Sequence, residues 1–205
     1  MTDQLAFPGF DDTRPTTDRL LFLTYLAPDA AAQIAGRVPD FRGQHGLRGK
    51  AVPQNLLHVT LNHFGDFDGL PLDMVALARE AAETLAMAPF EVVFDRVASF
   101  KTQPGNYPFV LRGGGGLIKL LEFHQALVEA IRRTGSRIGK RAKPNFTPHV
   151  TMLYDGQAVA EQLVEPVTWV VREFALVHSL LGQTRHIVLD RWTLRDNDHE
   201  ASPPV

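Results

Sequence analysis

Phe146-Thr147-Pro148-His149-Val150-Thr151-Met152 is matched, ninety-one residues upstream, by Asn55-Leu56-Leu57-His58-Val59-Thr60-Leu61. Each half of the chain carries one His-Val-Thr-apolar tetrad inside an apolar, β-branched run, the pattern of a buried strand. In a strand the side chains at i and i+2 share a face, about 6.6–6.8 Å apart. His58 and Thr60 therefore point one way, as do His149 and Thr151, while Val59, Leu61, Val150 and Met152 turn the other. Two such strands facing each other make a site with two imidazoles and two hydroxyls.

Outward from the tetrads, the apolar run over 20–26 suits a central strand, and Pro28 opens an Ala-rich helix over 28–38. A glycine loop is expected over 41–49 and the first motif strand over 56–64. A helix over 71–87 buries Leu70, Met74, Leu77, Ala81 and Leu85 in one stripe and stops before Pro89. Strands over 90–100 and 107–112 are joined by a turn at Pro104-Gly105-Asn106. A helix over 117–133 buries Leu117, Leu120, Leu121, Leu127 or Val128, and Ile131. The second motif strand spans 146–154, and 168–181 with 185–194 forms a closing β-hairpin. The expected organisation is an extended arm over 1–18, one two-lobed domain over 19–194 and a polar tail over 195–205. The fold class is α+β, a duplicated pair of lobes.

Composition narrows the function classes. Of 205 residues, 44% are hydrophobic and 21% charged, as in an ordinary soluble globular protein. The chain has no cysteine, which excludes disulfides and thiolate metal sites and fits a cytoplasmic location. No apolar run is long enough to span a bilayer and Met1-Thr2-Asp3-Gln4 does not begin a signal peptide. A net charge of −2 argues against broad non-specific nucleic-acid binding, though a local patch suffices for one RNA end. Arg132, Arg133, Arg137, Lys140, Arg141 and Lys143 are candidates for that patch, or else a solvated helix end and loop.

The paired tetrads resemble those of the two-histidine (2H) phosphoesterase superfamily, and within it the RNA 2',3'-cyclic phosphodiesterases, also called the 2'-5' RNA ligase family. The likeness extends to Arg19-Leu20-Leu21-Phe22-Leu23 as a first strand and to Val52-Pro53-Gln54-Asn55-Leu56 as the approach to the first histidine. It includes Phe146-Thr147-Pro148-His149 as the approach to the second, and Glu173-Phe174-Ala175-Leu176-Val177 with Ser179 as a late strand. The resemblance implies two lobes of antiparallel-type sheet with helices outside and a cleft lined by both tetrads. It implies hydrolysis of 2',3'-cyclic phosphodiesters, on RNA 3' ends or small cyclic nucleotides, to 2'-phosphomonoesters. The reverse reaction would give weak, ATP-independent 2'-5' joining.

The residue types suit that chemistry. Imidazole populates both protonation states near neutrality, so His58 and His149 serve as general base and general acid, in an order the symmetric motifs hide. Thr60 and Thr151 would donate hydrogen bonds to the non-bridging phosphate oxygens. Tyr154 is the candidate for base stacking, with Tyr25, Phe64 and Tyr107 as further aromatics near the motifs. The family usually places a basic residue near the end of the second tetrad, where this chain has Met152-Leu153-Tyr154-Asp155. His63, five residues after His58, faces away in a regular strand, and a structural role is expected for it. Ordinary positions are expected for His124, His178, His186 and His199, and a surface position in the glycine loop for His45. No H-E-x-x-H or comparable set occurs, so neither metal nor cofactor is expected. Gly113 to Gly116 lacks the ending of a phosphate-binding loop and reads as a flexible strand-to-helix connection. A monomeric enzyme is expected; the alternative is a nucleotide-binding module of the same fold with little turnover.

Overall fold

The computed structural model describes residues 17–101, 104–135 and 139–195. In chain order the elements are β1 (Asp18–Tyr25), α1 (Pro28–His45), β2 (His58–Phe67), α2 (Leu72–Glu83), β3 (Phe90–Ser99), β4 (Tyr107–Arg112), α3 (Ile118–Arg133), β5 (His149–Asp155), β6 (Gln162–Val171), β7 (Glu173–Leu180) and β8 (Arg185–Thr193). The strands line up as β6-β3-β4-β5-β2-β1-β7-β8, and every neighbouring pair is antiparallel. The β2–β5 contact in the middle has one paired position, Val59 opposite Val150. The sheet is therefore two four-stranded lobes, β2-β1-β7-β8 and β5-β4-β3-β6, joined at the two motif strands.

Burial explains the run of apolar residues in β1. Leu20 and Phe22 enter the main core, while Leu21 and Leu23 on the opposite face form a smaller cluster with Ala175 and Val177. A strand covered on both faces needs no polar alternation. The main core runs under both lobes. Phe123 of α3 packs edge-on against Phe174 of β7, with ring centres 5.2 Å apart, and also against Phe90 of β3 at 5.9 Å. One helix thus locks the backs of the two lobes together, each buried phenyl ring contributing roughly 1.5–3 kcal/mol.

Several element boundaries differ from the sequence expectation, each for a physical reason. The first helix does not end at Val38 but continues through Pro39 to His45, so the expected loop over 41–49 is half helix. Phe41 extends the buried stripe of Ala30, Ala31, Ile34 and Val38, and that packing outweighs the proline's missing N–H. Gly46 ends the helix at φ 65°, with its N–H bonded to the Arg42 carbonyl. The buried stripe of α2 is Met74, Val75, Ala78, Ala81 and Ala82. Leu70, Leu77 and Leu85 are only partly covered; Leu85 lies beyond the helix, which stops at Glu83 with Thr84 Oγ1 bonded to the Ala81 carbonyl. Leu121 of α3 is exposed, and Phe123 and His124 take up the buried face instead. The motif strands begin at the histidines themselves. Gly113 to Gly116 connects β4 to α3, with Gly113 and Gly116 close against Val93 of β3.

The expected single strand over 168–181 is two. β6 begins earlier, at Gln162, and pairs with β3; after Arg172 the chain crosses to the other lobe, where β7 pairs with β1. An unbroken apolar run cannot show that its halves lie at different places in the sheet. Apart from Thr17, Asp18 and Arg195, the expected arm over 1–18 and tail over 195–205 lie outside the described residues, as do Arg137 and His199.

The segment leading into β2 is pinned to the end of β5. Asp155 Oδ2 accepts the backbone N–H groups of Arg48 and Gly49, both at 2.6 Å, and the Val52 N–H donates to the Met152 carbonyl at 2.8 Å. A Cβ on Gly49 would stand 1.8 Å from the Tyr154 carbonyl oxygen, so only glycine allows this approach. Gly49→Ala is expected to lower the unfolding free energy by roughly 2–4 kcal/mol, measured by urea denaturation.

Candidate active site

The position of Val59 opposite Val150 sets the geometry of the site. With that antiparallel register, His58 lies across from Thr151 and Thr60 across from His149. The imidazoles are diagonal neighbours, a relation that puts Cβ atoms about 7–8 Å apart. A local twofold relation passes through the valine pair and exchanges the two tetrads. The cavity between the imidazoles is lined by one threonine from each lobe.

The histidines are oriented by the same device. His58 Nδ1 donates to the carbonyl of Leu56 at 2.7 Å, and His149 Nδ1 donates to the carbonyl of Thr147 at 2.7 Å. In each case the acceptor is two residues upstream: Leu56 closes the short 3₁₀ turn Gln54–Leu56, and Thr147 is held extended by Pro148. A carbonyl only accepts, so the proton of each neutral ring is on Nδ1 and the Nε2 lone pair is free for a ligand.

His58, Thr60, His149, Thr151 and Tyr154 all line one cavity of about 530 Å³, and Tyr154 is 50% exposed at its edge. Tyr25 lies beside His58, with ring centres 6.4 Å apart. Phe64 is buried in the main core, and Tyr107 is at the far end of β4 opposite Asp155. Among the described residues, the basic candidates Arg132, Arg133, Lys140, Arg141 and Lys143 do not line the cavity. Arg141 donates to the Phe64 carbonyl and stacks on Phe67, and the Lys143 N–H donates to Asn62. His45 is at the end of α1, bonded to Gln162 and packed on Phe109.

Two histidines assigned ordinary positions from sequence line this cavity as well. His63 faces it because β2 bulges: Leu23 pairs with Thr60 and Phe22 with Asn62, leaving Leu61 as an extra residue. The bulge reverses the alternation, so Leu61 and Asn62 are both buried and the cavity face continues at His63. β5 bulges in the same place. Phe109 pairs with Leu153 and Val110 with Thr151, so Met152 is extra and Tyr154 comes round to the cavity. His63 and Tyr154 are equivalent residues of the two lobes. The signal in the sequence was the repeat itself, since each stands five residues after its histidine.

His186 of β8 is the second. Its Nδ1 is 3.0 Å from the Tyr25 hydroxyl, and its ring meets that of His58 edge-on with centres 5.2 Å apart. No local pattern marked it, because it arrives through the β7–β8 hairpin from the far side of the lobe. Beside it, Thr184 has φ 51°, a backbone region costly for a β-branched residue. Arg19 also reaches the cavity, bound through two nitrogens to Asp66 at 2.7 and 2.8 Å; Asp66 accepts from His63 as well and is held down at about 2, chiefly by the Arg19 bond. Among the described residues no group of three or more His, Cys, Asp or Glu is placed to hold a metal ion.

The two lobes differ in what surrounds their histidines. His58 is pushed down to about 4, first by burial and then by its neighbours His186 and His149, against the opposing bond to Leu56. His149 is also lowered by burial, with the Arg112 charge acting the same way. Its ring neighbour is Phe100, edge-on at 4.9 Å, and the Arg112 guanidinium lies 5.6 Å from the centre of that phenyl while bonded to Glu161 at 2.6 Å.

The fold and this two-histidine site define a class, and comparison with known proteins agrees. The family model described as the 2'-5' RNA ligase superfamily matches residues 27–183, so the chain belongs to that superfamily, the two-histidine phosphoesterases. No curated protein matches in sequence. Among solved structures, TT0787 of Thermus thermophilus is similar at 24% identity and a TM-score of 0.64, over 87% of this chain and 99% of that one. E. coli LigT in its apo form is similar at 25% identity and a TM-score of 0.60, over 87% and 98%. LigT complexed with 3'-AMP is similar at 24% and 0.60, over 88% and 99%.

The lowered histidines tie stability to pH. A His58 that stays neutral when folded but titrates near 6.5 when unfolded gives stability that is complete above pH 6.5 and declines as pH falls toward 4. The loss amounts to at most about 3 kcal/mol. Urea denaturation between pH 7 and 4 should show that decline, and His58→Asn should flatten it.

Proposed function

We propose that the chain hydrolyses 2',3'-cyclic phosphodiesters, on RNA 3' ends or nucleotides, to 2'-phosphomonoesters without a metal or cofactor. The observation that carries this reading is the diagonal pair of imidazoles, each with Nδ1 tied to a carbonyl and Nε2 free, framed by Thr60 and Thr151. One histidine takes a proton from water as the oxygen attacks phosphorus. The P–O3' bond breaks, and the other histidine gives its proton to the leaving O3'. The threonine hydroxyls donate to the non-bridging oxygens, where charge builds in the transition state. Tyr154 at the rim offers a ring for the base. LigT has been solved with 3'-AMP, ATP, NADP+ and phosphate, which supports a nucleotide-sized occupant for the homologous cleft. With a 5'-hydroxyl in place of water as the nucleophile, the same groups would open a 2',3'-cyclic end into a 2'-5' diester, the P–O3' bond again breaking and O3' taking the proton.

Hydrolysis of a nucleoside 2',3'-cyclic phosphate in EDTA tests the reading. The parent should turn over and release the 2'-phosphate, and His58→Ala and His149→Ala should each lose roughly 10²–10⁴-fold in kcat. Thr60→Val and Thr151→Val should lose less. Tight nucleotide binding with no turnover of any cyclic ester would identify a binding module instead, and turnover surviving loss of both histidines would overturn the mechanism.

The pH profile has a defined sign. Catalysis needs one histidine neutral and the other protonated, and both are lowered from 6.5 in the free protein. The kcat/KM profile should therefore be a bell with its maximum below pH 6.5. Bound phosphate favours the protonated forms, so the kcat maximum should lie at higher pH.

A further inference from the structure

The local twofold relation that exchanges the tetrads fails at their neighbours. Next to His149 lies a phenyl ring, Phe100; next to His58 lies a third imidazole, His186, at 5.2 Å. A phenyl ring carries no proton, whereas an imidazole does. Two equivalent histidines would compete for one proton, while acid–base catalysis needs them unequal. His186 is not left to rotate: Tyr25 of β1 holds its Nδ1 at 3.0 Å, and the guanidinium of Arg191 lies 5.5 Å from the centre of the Tyr25 ring. That contact leaves Nε2 as the nitrogen of His186 that can face the cavity.

We propose that His186, held by Tyr25, is a positioning residue for His58: it sets the pH range over which the His58–His149 pair shares a single proton. A hydroxyl can donate to a neutral imidazole or accept from a protonated one, so Tyr25 keeps its bond to His186 in both states. When His186 carries its proton, that charge opposes a second proton on His58 across an edge-on contact. The other charged and titratable groups around the pair are Arg19 of β1 paired with Asp66 of β2, His63 of β2, His149 and Tyr154 of β5, and Arg185 and Arg191 of β8, with Arg191 itself bound to Glu173 of β7. The cationic groups among them act in the same direction as His186. The inference rests on the reading of His58 as one of the two acid–base groups.

NMR titration of the His58 ring in parent, His186→Gln, Tyr25→Phe and the double variant tests it, alongside kcat/KM profiles of the same proteins. In His186→Gln the His58 midpoint should rise by about one pH unit, and the limb of the bell belonging to His58 should move with it. Tyr25→Phe should shift the midpoint the same way by less, because the charge-assisted bond that supports protonated His186 is lost. The double variant should match His186→Gln alone. An unchanged midpoint in folded His186→Gln would overturn the proposal, as would a double variant whose shift is the sum of the two. Should His186→Gln fail to fold, an unchanged midpoint in Tyr25→Phe overturns it. The titration needs no turnover, so a failed cyclic-phosphodiester reading shows separately, as a parent protein without activity.

Discussion

Everything at the site depends on one backbone contact, Val59 against Val150. Where two antiparallel strands touch through one residue each, the residues on either side are forced into register, histidine across from threonine on both sides. The strands then diverge into separate lobes, and the divergence opens the cavity that the tetrads line. A longer ladder between β2 and β5 would close that space; no contact at all would leave the histidines unrelated. The valines face the core and the polar residues face the cavity, so apolar burial and site assembly are the same event.

The lobes are held for this contact from behind and from the side. Phe123 ties β7 to β3 beneath the junction, and the Asp155 carboxylate gathers the chain that enters β2. Rigid support matters because catalysis by paired imidazoles depends on placement to a fraction of an ångström. Each ring is further constrained by a carbonyl two residues before it, an arrangement each half of the chain builds by different means, a 3₁₀ turn in one and a proline in the other.

Around this symmetric centre the environment is asymmetric. His58 lies deeper, among other imidazoles and beside a tyrosine; His149 lies against phenylalanine with an arginine beyond. The position that repeats five residues after each histidine is filled by His63 in one lobe and Tyr154 in the other. Arg19 of β1 brings a guanidinium to the same cavity. Duplication supplies the scaffold, and divergence of the neighbours gives the two histidines different surroundings.

The tetrads, their faces and their membership of two similar halves were legible in the sequence, because alternation in a strand is a local property and the repeat announced itself. So were the three helices and the strands they separate, though not their ends, which tertiary packing moved: Phe41 drew the first helix past Pro39, and α2 stopped short of Pro89. What the sequence could not show depends on contacts between distant residues. A bulge is a mismatch between two strands, and it turned His63 toward the cavity against its own periodicity. The crossing at Arg172 joins different lobes within one apolar run. His186, 128 residues from His58, meets it only because a hairpin folds back across the lobe. Local pattern therefore determined which residues could do the chemistry, and the pairing of strands decided which of them stand together and what surrounds each one.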